Sequence, residues 1–571
     1  MKAFGFSGVT LLCSLAARAV AVCSGIGPSG KCTASTFQFK GVLPDTATIE
    51  SISLVKGGPG YDGCYGEGAS DLGYPNYAYN LPQLCAVTVN VSTYRFGLFL
   101  PMTNWQGRFL AVGNYAFQGG INWVDMTPGP HYGMATMSTD TGHISSPAAD
   151  TAMDWAKNNP RAQADWGYVA MNGSITYAKL LTEQFYRALG GGSTVLNRSY
   201  YSGCSTGGRQ GLKQIQINPQ SIDGALIGAP AWQTDHLMPW ITKIASYNLP
   251  ESDPKVLGPA QWTLLSQIAA ATCDGLDHVT DGIISIDNCR LIAANFTAYT
   301  CGNPGTDPSN CLSPAQVTTA QAMYSDYYLG DDSSGNGTLV YHGPNPGSEA
   351  DWAAYLTAGL PSGFDQAWAA NFLGDAGDRD ADSVFAKSVA QDPGGATADA
   401  FDIRAFRDNG RGGGGKLILY HGLADGVLPT RGSLLYFNRT AQVTGDGTDA
   451  AAAMASWFRY FQIPGMRHCW GSDVGAPWMI GGAGQPASIY AMDQTGYSVP
   501  GRLRDPRYDA LQALIEWVEN QRPVDSLVAT SWRPNSGAVW RERPLCPWPR
   551  TAVLKAPGLD ETVADNWQCS S

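Results

Sequence analysis

The stretch that decides the fold reads YYSGCSTGGRQG and runs from Tyr200 to Gly211. Its centre, Gly203 to Gly207, fits the pattern G-x-S-x-G, which occurs nowhere else in the chain. An aromatic, strand-like run precedes this centre, and a helical pattern follows it to about Ile217. A serine between a strand and a helix is typical of a nucleophile elbow, where small neighbours let the two elements approach. The pattern predicts that Ser205 is a nucleophile, with an ordinary glycine turn as the alternative.

Strand-like and helical segments alternate around this turn, which favours a parallel sheet covered by helices on both faces, an α/β fold. The strand-like runs are Cys85–Ser92, Tyr94–Leu100, Arg108–Val112, Gly167–Met171, Ile222–Ile227 and Lys416–Tyr420. Between the last two runs the composition changes to short cysteine spacings and many Asp, Gly and Pro residues. We therefore predict a catalytic domain formed by residues 22–232 and 411–571, with an inserted lid domain at 233–410.

The composition excludes several classes of protein. The 571 residues are 44% hydrophobic and 15% charged, which is typical of a globular protein. The formal net charge is -12 and no basic run stands out, so neither nucleic acid nor an anionic membrane is expected as a partner.

The first 21 residues have the pattern of a secretory signal: Lys2, an apolar stretch, and small residues that end at Ala21. The alternative is a membrane anchor, but Arg18 interrupts the run and leaves it short of the ~18 apolar residues that span a bilayer. Twelve of the 13 cysteines follow this segment, and an even number in a secreted chain predicts six disulfides. Six N-x-S/T sequences permit glycosylation of an extracellular protein, at Asn90, Asn172, Asn197, Asn295, Asn336 and Asn438.

Partners for Ser205 follow from the order serine, acid, histidine that is usual in α/β hydrolases. Lys416–Tyr420 leads into a loop that contains Asp425, and His468 is the only histidine after that acid. We therefore predict Ser205 as nucleophile, His468 as base and Asp425 as the acid that orients it. His421 precedes the acid and is expected to be a hydrogen-bonded core residue. The N–H of Thr206, at the start of the helix, is predicted to face the oxyanion.

Two cysteines flank this predicted triad. Cys204 directly precedes Ser205, and Cys469 directly follows His468. A bond between them would bring their Cα atoms to ~5.5–6 Å and hold the two catalytic loops together. The alternative is that each cysteine pairs elsewhere.

These residues resemble the fungal tannase and feruloyl esterase family, which also includes bacterial aromatic ester hydrolases. The similarity is carried by GCSTGGRQG (203–211), DGALIGAPA (223–231), HGLADGVLP (421–429) and IPGMRHCW (463–470), with STDTGH (138–143) as a further segment. The resemblance implies a serine carboxylesterase with an α/β-hydrolase core, an inserted lid and the bond between Cys204 and Cys469. It also implies the disulfides Cys273–Cys289, Cys301–Cys311 and Cys546–Cys569, while the N-terminal cysteines are expected to pair as Cys23–Cys64 and Cys32–Cys85.

A cluster of acids in the predicted lid suggests a metal site. Asp274, Asp277 and Asp281 lie within one short loop, where their carboxylates would repel one another unless a hard cation joined them. The spacing alone is equally compatible with a solvated acidic turn. The resemblance implies a structural Ca²⁺ at this loop, with the carbonyl oxygens of Val279 and Ile283 completing the site.

The second oxyanion donor is expected in the loop Gly113–Gly120, which follows the strand Arg108–Val112. Family members often have a glycine-rich run there, whereas this chain has bulkier residues, and we assign the donor to the N–H of Tyr115. Tyr115, Trp232 and Trp240 are candidate contacts of an aromatic acyl group, although large aromatics at a domain junction are more often core.

The function expected from these features is secreted hydrolysis of feruloyl or related hydroxycinnamoyl esters of plant cell-wall polysaccharides, such as xylan. The close alternative is a tannase that acts on galloyl esters. A secreted, calcium-stabilised binding protein on an inactive hydrolase scaffold is a third interpretation, which the complete triad disfavours.

Overall fold

The computed structural model describes residues 30–57, 61, 78, 80–144, 152–190, 194–330, 337–355, 363–409, 412–444, 450–485, 505–533 and 537–570. The predicted signal segment, Cys23, Cys64 and Asn336 lie outside these residues. Among the described residues, every helix is too short or too polar to span a bilayer.

The strands that the structure describes are numbered in chain order: β1 Thr48–Val55, β2 Leu84–Asn90, β3 Arg95–Pro101, β4 Arg108–Val112, β5 Met134–Thr139, β6 Arg198–Cys204, β7 Gly224–Gly228, β8 Tyr327–Leu329, β9 Thr338–Tyr341, β10 Lys416–Gly422, β11 Phe458–Ile463, β12 Leu527–Trp532, β13 Val539–Leu545, β14 Ala552–Leu554 and β15 Trp567–Cys569.

The α-helices are numbered in the same way: α1 Pro128–His131, α2 Pro160–Ala164, α3 Ala170–Leu189, α4 Thr206–Ile217, α5 Thr234–Tyr247, α6 Pro259–Cys273, α7 Ala293–Phe296, α8 Pro314–Tyr324, α9 Glu349–Tyr355, α10 Phe364–Ala367, α11 Ala381–Gln391, α12 Arg404–Arg407, α13 Arg431–Thr444, α14 Ala450–Met454 and α15 Ala510–Asn520.

The chain divides into two compact units, and the first comprises Met1–Val112, Gln118–Pro147 and Ala170–Ser199. Its strands follow the order β1-β2-β3-β5-β4. The first four of these pair antiparallel, and β4 pairs parallel with β5. The side chains of β2 and β3 are buried along nearly their whole length, and the amphipathic helix α3 packs against β3 and β5. Continuous apolar runs therefore form buried strands here, as expected.

The second unit comprises Gly113–Phe117, Ala148–Val169 and Tyr200–Ser571, and it holds all the predicted catalytic residues. Its parallel strands follow the order β6-β7-β10-β11. Strands β7 and β10 are direct neighbours, so the chain leaves this sheet after Gly228 and returns to it at Lys416. The predicted lid, residues 233–410, falls between these two strands and lies wholly within this unit. Its assignment as a separate lid domain stays a prediction.

The inserted segment contains a large part of one hydrophobic cluster that is rich in buried tryptophans. Trp240 and Trp368 are fully buried in it, and Trp368 stacks on Phe372 with ring centroids 4.4 Å apart. Trp232 is also buried, and its indole N–H donates to the carbonyl of Gly432. Trp232 and Trp240 are therefore packed core residues.

One predicted strand is wrong. Residues Gly167–Met171 are helical, because Asp165–Val169 forms a π-helical turn that continues into α3 at Ala170. A Cβ on Gly167 would collide with the carbonyl of Gly394, so this turn depends on a close backbone approach from a distant part of the chain.

Candidate active site

Ser205 occupies the turn between strand β6 and helix α4. Its φ of 62° and ψ of −125° are unusual for a residue with a side chain and characteristic of a strained nucleophile turn. The N–H of Ser205 donates to the carbonyl of Gly228 at 3.0 Å, and its own carbonyl accepts from the N–H groups of Arg209 and Ala231. Hydrogen bonds to β7 and to the helix thus hold the strained backbone in place.

The glycines of this turn are required by close packing. A Cβ on Gly203 would lie 2.5 Å from the carbonyl oxygen of Gly207, and one on Gly208 would lie 2.6 Å from that of Gly228. Real Cβ atoms do not approach backbone oxygens so closely, so larger residues would push the strand, the turn and the helix apart.

The loop after β4 packs against the first turn of helix α4. The N–H of Gly113 donates to the carbonyl of Ser202 at 3.0 Å, and the N–H of Asn114 donates to Gln210 Oε1 at 2.9 Å. A Cβ on Gly207 would lie 2.9 Å from the carbonyl of Asn114. The structure therefore brings the segment that leads into Tyr115 against the helix start, where Thr206 lies. Their assignment as oxyanion donors remains a prediction.

Asp425 and His468 form a hydrogen-bonded pair, with His468 Nδ1 2.8 Å from Asp425 Oδ2. Because a carboxylate accepts, the imidazole proton lies on Nδ1 and Nε2 is left as the basic nitrogen. Burial alone would lower the pKa of His468, but the adjacent charge and hydrogen bond of Asp425 raise it above its ordinary value. The arrangement suits a general base that becomes cationic during the reaction.

The carboxylate of Asp425 is fully buried and fully hydrogen-bonded. Its Oδ1 accepts from the N–H groups of Val427 at 2.9 Å and Leu428 at 2.8 Å. Burial would raise its pKa, but the charge of His468 and the hydrogen bonds from His421 and His468 hold that pKa well below the ordinary range. The acid is therefore ionised at any pH near neutrality.

His421 is a second histidine on the same carboxylate, and it is the buried, hydrogen-bonded core residue that the sequence predicts. Its Nε2 lies 2.9 Å from both Asp425 Oδ2 and the carbonyl of Leu428, and its Nδ1 lies 2.7 Å from Ser433 Oγ. Two acceptors at Nε2 require a proton there, so Nδ1 accepts from the serine hydroxyl. His421 thus orients the acid and is itself oriented by helix α13.

A disulfide joins Cys204 to Cys469, with Cα atoms 6.0 Å apart, and it packs in a small buried cluster with Ala229 and Ala483. The two cysteines are separated by 265 residues in sequence, and their bond brings together their immediate neighbours, Ser205 and His468. Across the residues that the structure describes, Ser205 and His468 share no side-chain hydrogen bond; such bonds often tighten only when substrate binds.

Comparisons with known proteins agree with this geometry. The family model described as "Tannase and feruloyl esterase" matches residues 85–407 and 395–570. The chain belongs to this family. It is a carboxylic ester hydrolase, and its substrate is an ester.

This esterase is 31% identical over 496 residues to probable feruloyl esterase B-2 of Aspergillus terreus, a match that covers 85% of each chain. It is 29% identical over 569 residues to probable feruloyl esterase B-1 of Aspergillus flavus, covering 98% and 99% of the two chains. The solved structure of feruloyl esterase B from Aspergillus oryzae has a TM-score of 0.78 at 27% identity, covering 95% of this chain and 99% of that one. The α/β-hydrolase fold with which such esterases are built is therefore the fold of this chain.

The acidic loop of the esterase holds its three carboxylates in different ways. Asp274 accepts from the N–H groups of Asp281 and Gly282, while Asp281 contacts the buried guanidinium of Arg543 and accepts from the N–H of Ile283. Asp277 Oδ1 accepts from the N–H of Val279, whereas its buried Oδ2 has no hydrogen-bond partner.

This loop fits a hard cation in the chemistry of its donors and in its unpartnered oxygen. Burial raises the pKa of Asp277, against the lowering effects of its hydrogen bonds and of the charge of Arg543. Within the described parts of the chain, however, no three His, Cys, Asp or Glu side chains converge closely enough to hold a metal ion. Calcium at this loop therefore remains a proposal.

The other expected disulfides that fall on described residues are present: Cys32–Cys85, Cys273–Cys289, Cys301–Cys311 and Cys546–Cys569. Of the glycosylation sequons, Asn197 is exposed; half-buried are Asn90, Asn172, Asn295 and Asn438. Use of any of these sites remains a prediction.

Replacing Cys204 and Cys469 together by alanine should slow acylation of Ser205, because the loop of His468 loses its covalent link to the nucleophile turn. We expect at least a tenfold lower rate of fluorophosphonate labelling, together with a loss of roughly 2–5 kcal/mol in the free energy of unfolding. The control is Cys301→Ala with Cys311→Ala, which removes a disulfide of sequence separation 10 from the inserted segment. Equal labelling rates in the two double variants would contradict the positioning role of the Cys204–Cys469 bond.

Proposed function

We propose that this chain is a secreted serine carboxylesterase that hydrolyses feruloyl and related hydroxycinnamoyl esters of plant cell-wall polysaccharides. The observation that carries the chemistry is the hydrogen-bonded pair Asp425–His468, held beside Ser205 by the Cys204–Cys469 disulfide. The acyl group is supported by the relatives, which are named feruloyl esterases.

In the proposed mechanism, Ser205 Oγ attacks the ester carbonyl while His468 Nε2 takes the hydroxyl proton. The N–H groups of Thr206 and Tyr115 stabilise the tetrahedral oxyanion. His468 then returns the proton to the departing alcohol, and Ser205 carries the acyl group. A water molecule, deprotonated by His468, attacks this acyl-enzyme and releases the carboxylic acid and free Ser205. Asp425 keeps its charge throughout and stabilises the imidazolium.

The second candidate is a tannase that acts on galloyl esters, since the family description includes both activities. The tannin acyl hydrolase of Aspergillus niger shares 21% identity with this chain at a TM-score of 0.68, so its similarity bears on the fold alone. An inactive binding protein is disfavoured because Ser205, Asp425 and His468 are all present.

A panel of methyl ferulate, methyl caffeate and methyl gallate tests the acyl group. We expect the two hydroxycinnamates to be cleaved with kcat/KM at least tenfold above that for methyl gallate. Ser205→Ala should lower kcat by at least about 10⁴-fold and abolish fluorophosphonate labelling, because the nucleophile is lost. The control is Ser202→Ala. This substitution removes a nearby hydroxyl group but keeps the backbone carbonyl of residue 202 that accepts from the N–H of Gly113. Faster cleavage of the gallate would favour the tannase, and cleavage of aliphatic esters alone would exclude both acyl assignments.

We also propose that the loop of Asp274, Asp277 and Asp281 binds a structural Ca²⁺, with the carbonyls of Val279 and Ile283 as further ligands. Oxygen donors of this kind suit Ca²⁺, which would neutralise the unpartnered oxygen of Asp277 and tighten the loop closed by Cys273–Cys289. The ion has no role in the acyl-transfer steps.

Removal of calcium should lower thermal stability more than it changes the chemistry. A chelator is expected to lower Tm by about 3–5 °C, and added Ca²⁺ should restore it. Asp277→Asn should abolish this response, whereas Asp307→Asn, in another acidic turn of the inserted segment, should keep it. An unchanged Tm on chelation would mean that the loop is held by Arg543 without a metal.

A further inference from the structure

The tryptophan beside the catalytic histidine differs from every other tryptophan of the chain. All 17 tryptophans lie in described residues, and only Trp470 is exposed, with 51% of its surface accessible. The other large apolar residues that the described chain exposes are aliphatic. Burying an indole is strongly favourable, so an indole that stays exposed does not contribute this free energy to folding. A single exposed indole beside a reactive group therefore suggests a binding role.

Backbone hydrogen bonds hold the turn that carries Trp470. The N–H of Trp470 donates to the carbonyl of His468 at 2.8 Å, which makes Cys469, with a φ of 65°, the centre of a γ-turn. The N–H of Arg467 donates to the carbonyl of Gly471 at 3.0 Å, which joins the residues on either side of this turn. Because the disulfide to Cys204 also holds Cys469, the backbone of Trp470 is tied to that of His468.

The chemistry of the reaction decides which part of the substrate lies nearest this turn. His468 must deliver a proton to the oxygen of the departing alcohol, so the alcohol lies against His468. Trp470, two residues further on, is therefore on the alcohol side of the scissile bond. Arg467 and Asp473 lie three residues before and after Trp470 in the sequence, with their charged groups 3.5 Å apart, and both side chains are partly exposed.

We propose that Trp470 forms a subsite for the sugar ring that carries the ester, with its indole stacked on the C–H face of that ring. A sugar presents apolar C–H groups on one face and hydroxyls at its edge, which match an exposed indole in a loop that also carries the hydrogen-bond donors of Arg467. The subsite rests on the proposed esterase function and extends it from the acyl group to the alcohol.

The test compares two esters of one acyl group, the methyl ester and the 5-O-arabinose ester, using whichever acyl group the enzyme cleaves. For Trp470→Ala, the ratio of kcat/KM for the arabinose ester to that for the methyl ester should fall about tenfold, as expected for loss of an aromatic stacking partner. Trp470→Phe should keep most of the ratio. Val474→Ala, an exposed apolar residue of the same loop, is the control and should leave it unchanged.

An unchanged ratio in Trp470→Ala, or equal losses on both esters, would overturn the subsite. Failure of the proposed acyl group appears instead in the wild-type rates on the methyl-ester panel, so the two failures are distinguishable.

A second, independent observation concerns Asp351, a residue of the inserted segment for which the sequence offered no motif. Its carboxylate lies between the residue after Asp425 and the residue before His468. Oδ2 accepts from the N–H of Gly426 at 3.4 Å, and Oδ1 lies 3.6 Å from Arg467 Nη1. The approach is close, because a Cβ on Gly426 would lie 2.7 Å from Asp351 Cβ.

The charged groups that face Asp351 are Arg467, Asp425 and His468, and Asp473 contacts the same Arg467 nitrogen, Nη1. Burial raises the pKa of Asp351 to about 6, against the opposing effect of Arg467. Its negative charge in turn contributes to the raised pKa of His468, after the larger contribution of Asp425.

We infer that Asp351 is a positioning residue through which the inserted segment sets the protonation and placement of the Asp425–His468 pair. It holds the loops on both sides of that pair and adds a negative charge close to the imidazole. It does not touch the reacting atoms.

The pH profile of kcat/KM tests this inference. The active enzyme has neutral His468, so activity is lost as the pH falls through the pKa of that group. Asp351→Asn removes a negative charge and should shift this acid limb to lower pH by roughly half a unit. Asp351→Glu should return the acid limb of the profile to its wild-type pH. Asp473→Asn, which changes the exposed partner of Arg467, should leave the acid limb at that pH. An unshifted limb in Asp351→Asn, or an equal shift in Asp473→Asn, would overturn the inference.

Discussion

The buried carboxylate of Asp425 is the interaction on which the site depends. A buried charge costs several kcal/mol unless it is paired and hydrogen-bonded. Here one oxygen accepts two backbone N–H groups of its own loop, and the other accepts from His421 and His468. These partners come from the end of β10, the following loop and the histidine loop. Any movement of one of them leaves the charge uncompensated, so the arrangement is kept as a unit.

The nucleophile reaches this unit through packing and a covalent bond. The turn at Ser205 exists because glycines at 203, 207 and 208 let the strand, the helix and the neighbouring backbone approach to van der Waals contact. The Cys204–Cys469 disulfide then joins the turn to the histidine loop. Packing within the sheet thus positions Ser205 and Asp425, while the disulfide ties the loop of His468 to the turn at Ser205.

The sequence predicted most of the sheet and the residues of the site, because both depend on local patterns. Continuous apolar runs gave the positions of β2, β3, β4, β7 and β10, and chain order selected Asp425 and His468. The helical state of Gly167–Met171 could not be predicted in this way, since a short apolar segment fits a strand or a buried helix and the close contact of Gly167 with Gly394 comes from a distant part of the chain. Asp351 was missed for a related reason. Its role comes from contacts with Gly426 and Arg467, which are far away in the sequence.

The neighbouring strands β7 and β10 also constrain how this chain can reach its folded state. Their parallel pairing joins residues separated by the whole inserted segment, and closing a loop of that length costs conformational entropy before any pairing is gained. The inserted segment supplies most of the residues of the tryptophan-rich hydrophobic cluster. Early collapse of that cluster would shorten the effective loop and bring the two strand ends together. The insertion that carries Asp351 to the catalytic pair would then also act as the internal scaffold on which the catalytic sheet is completed.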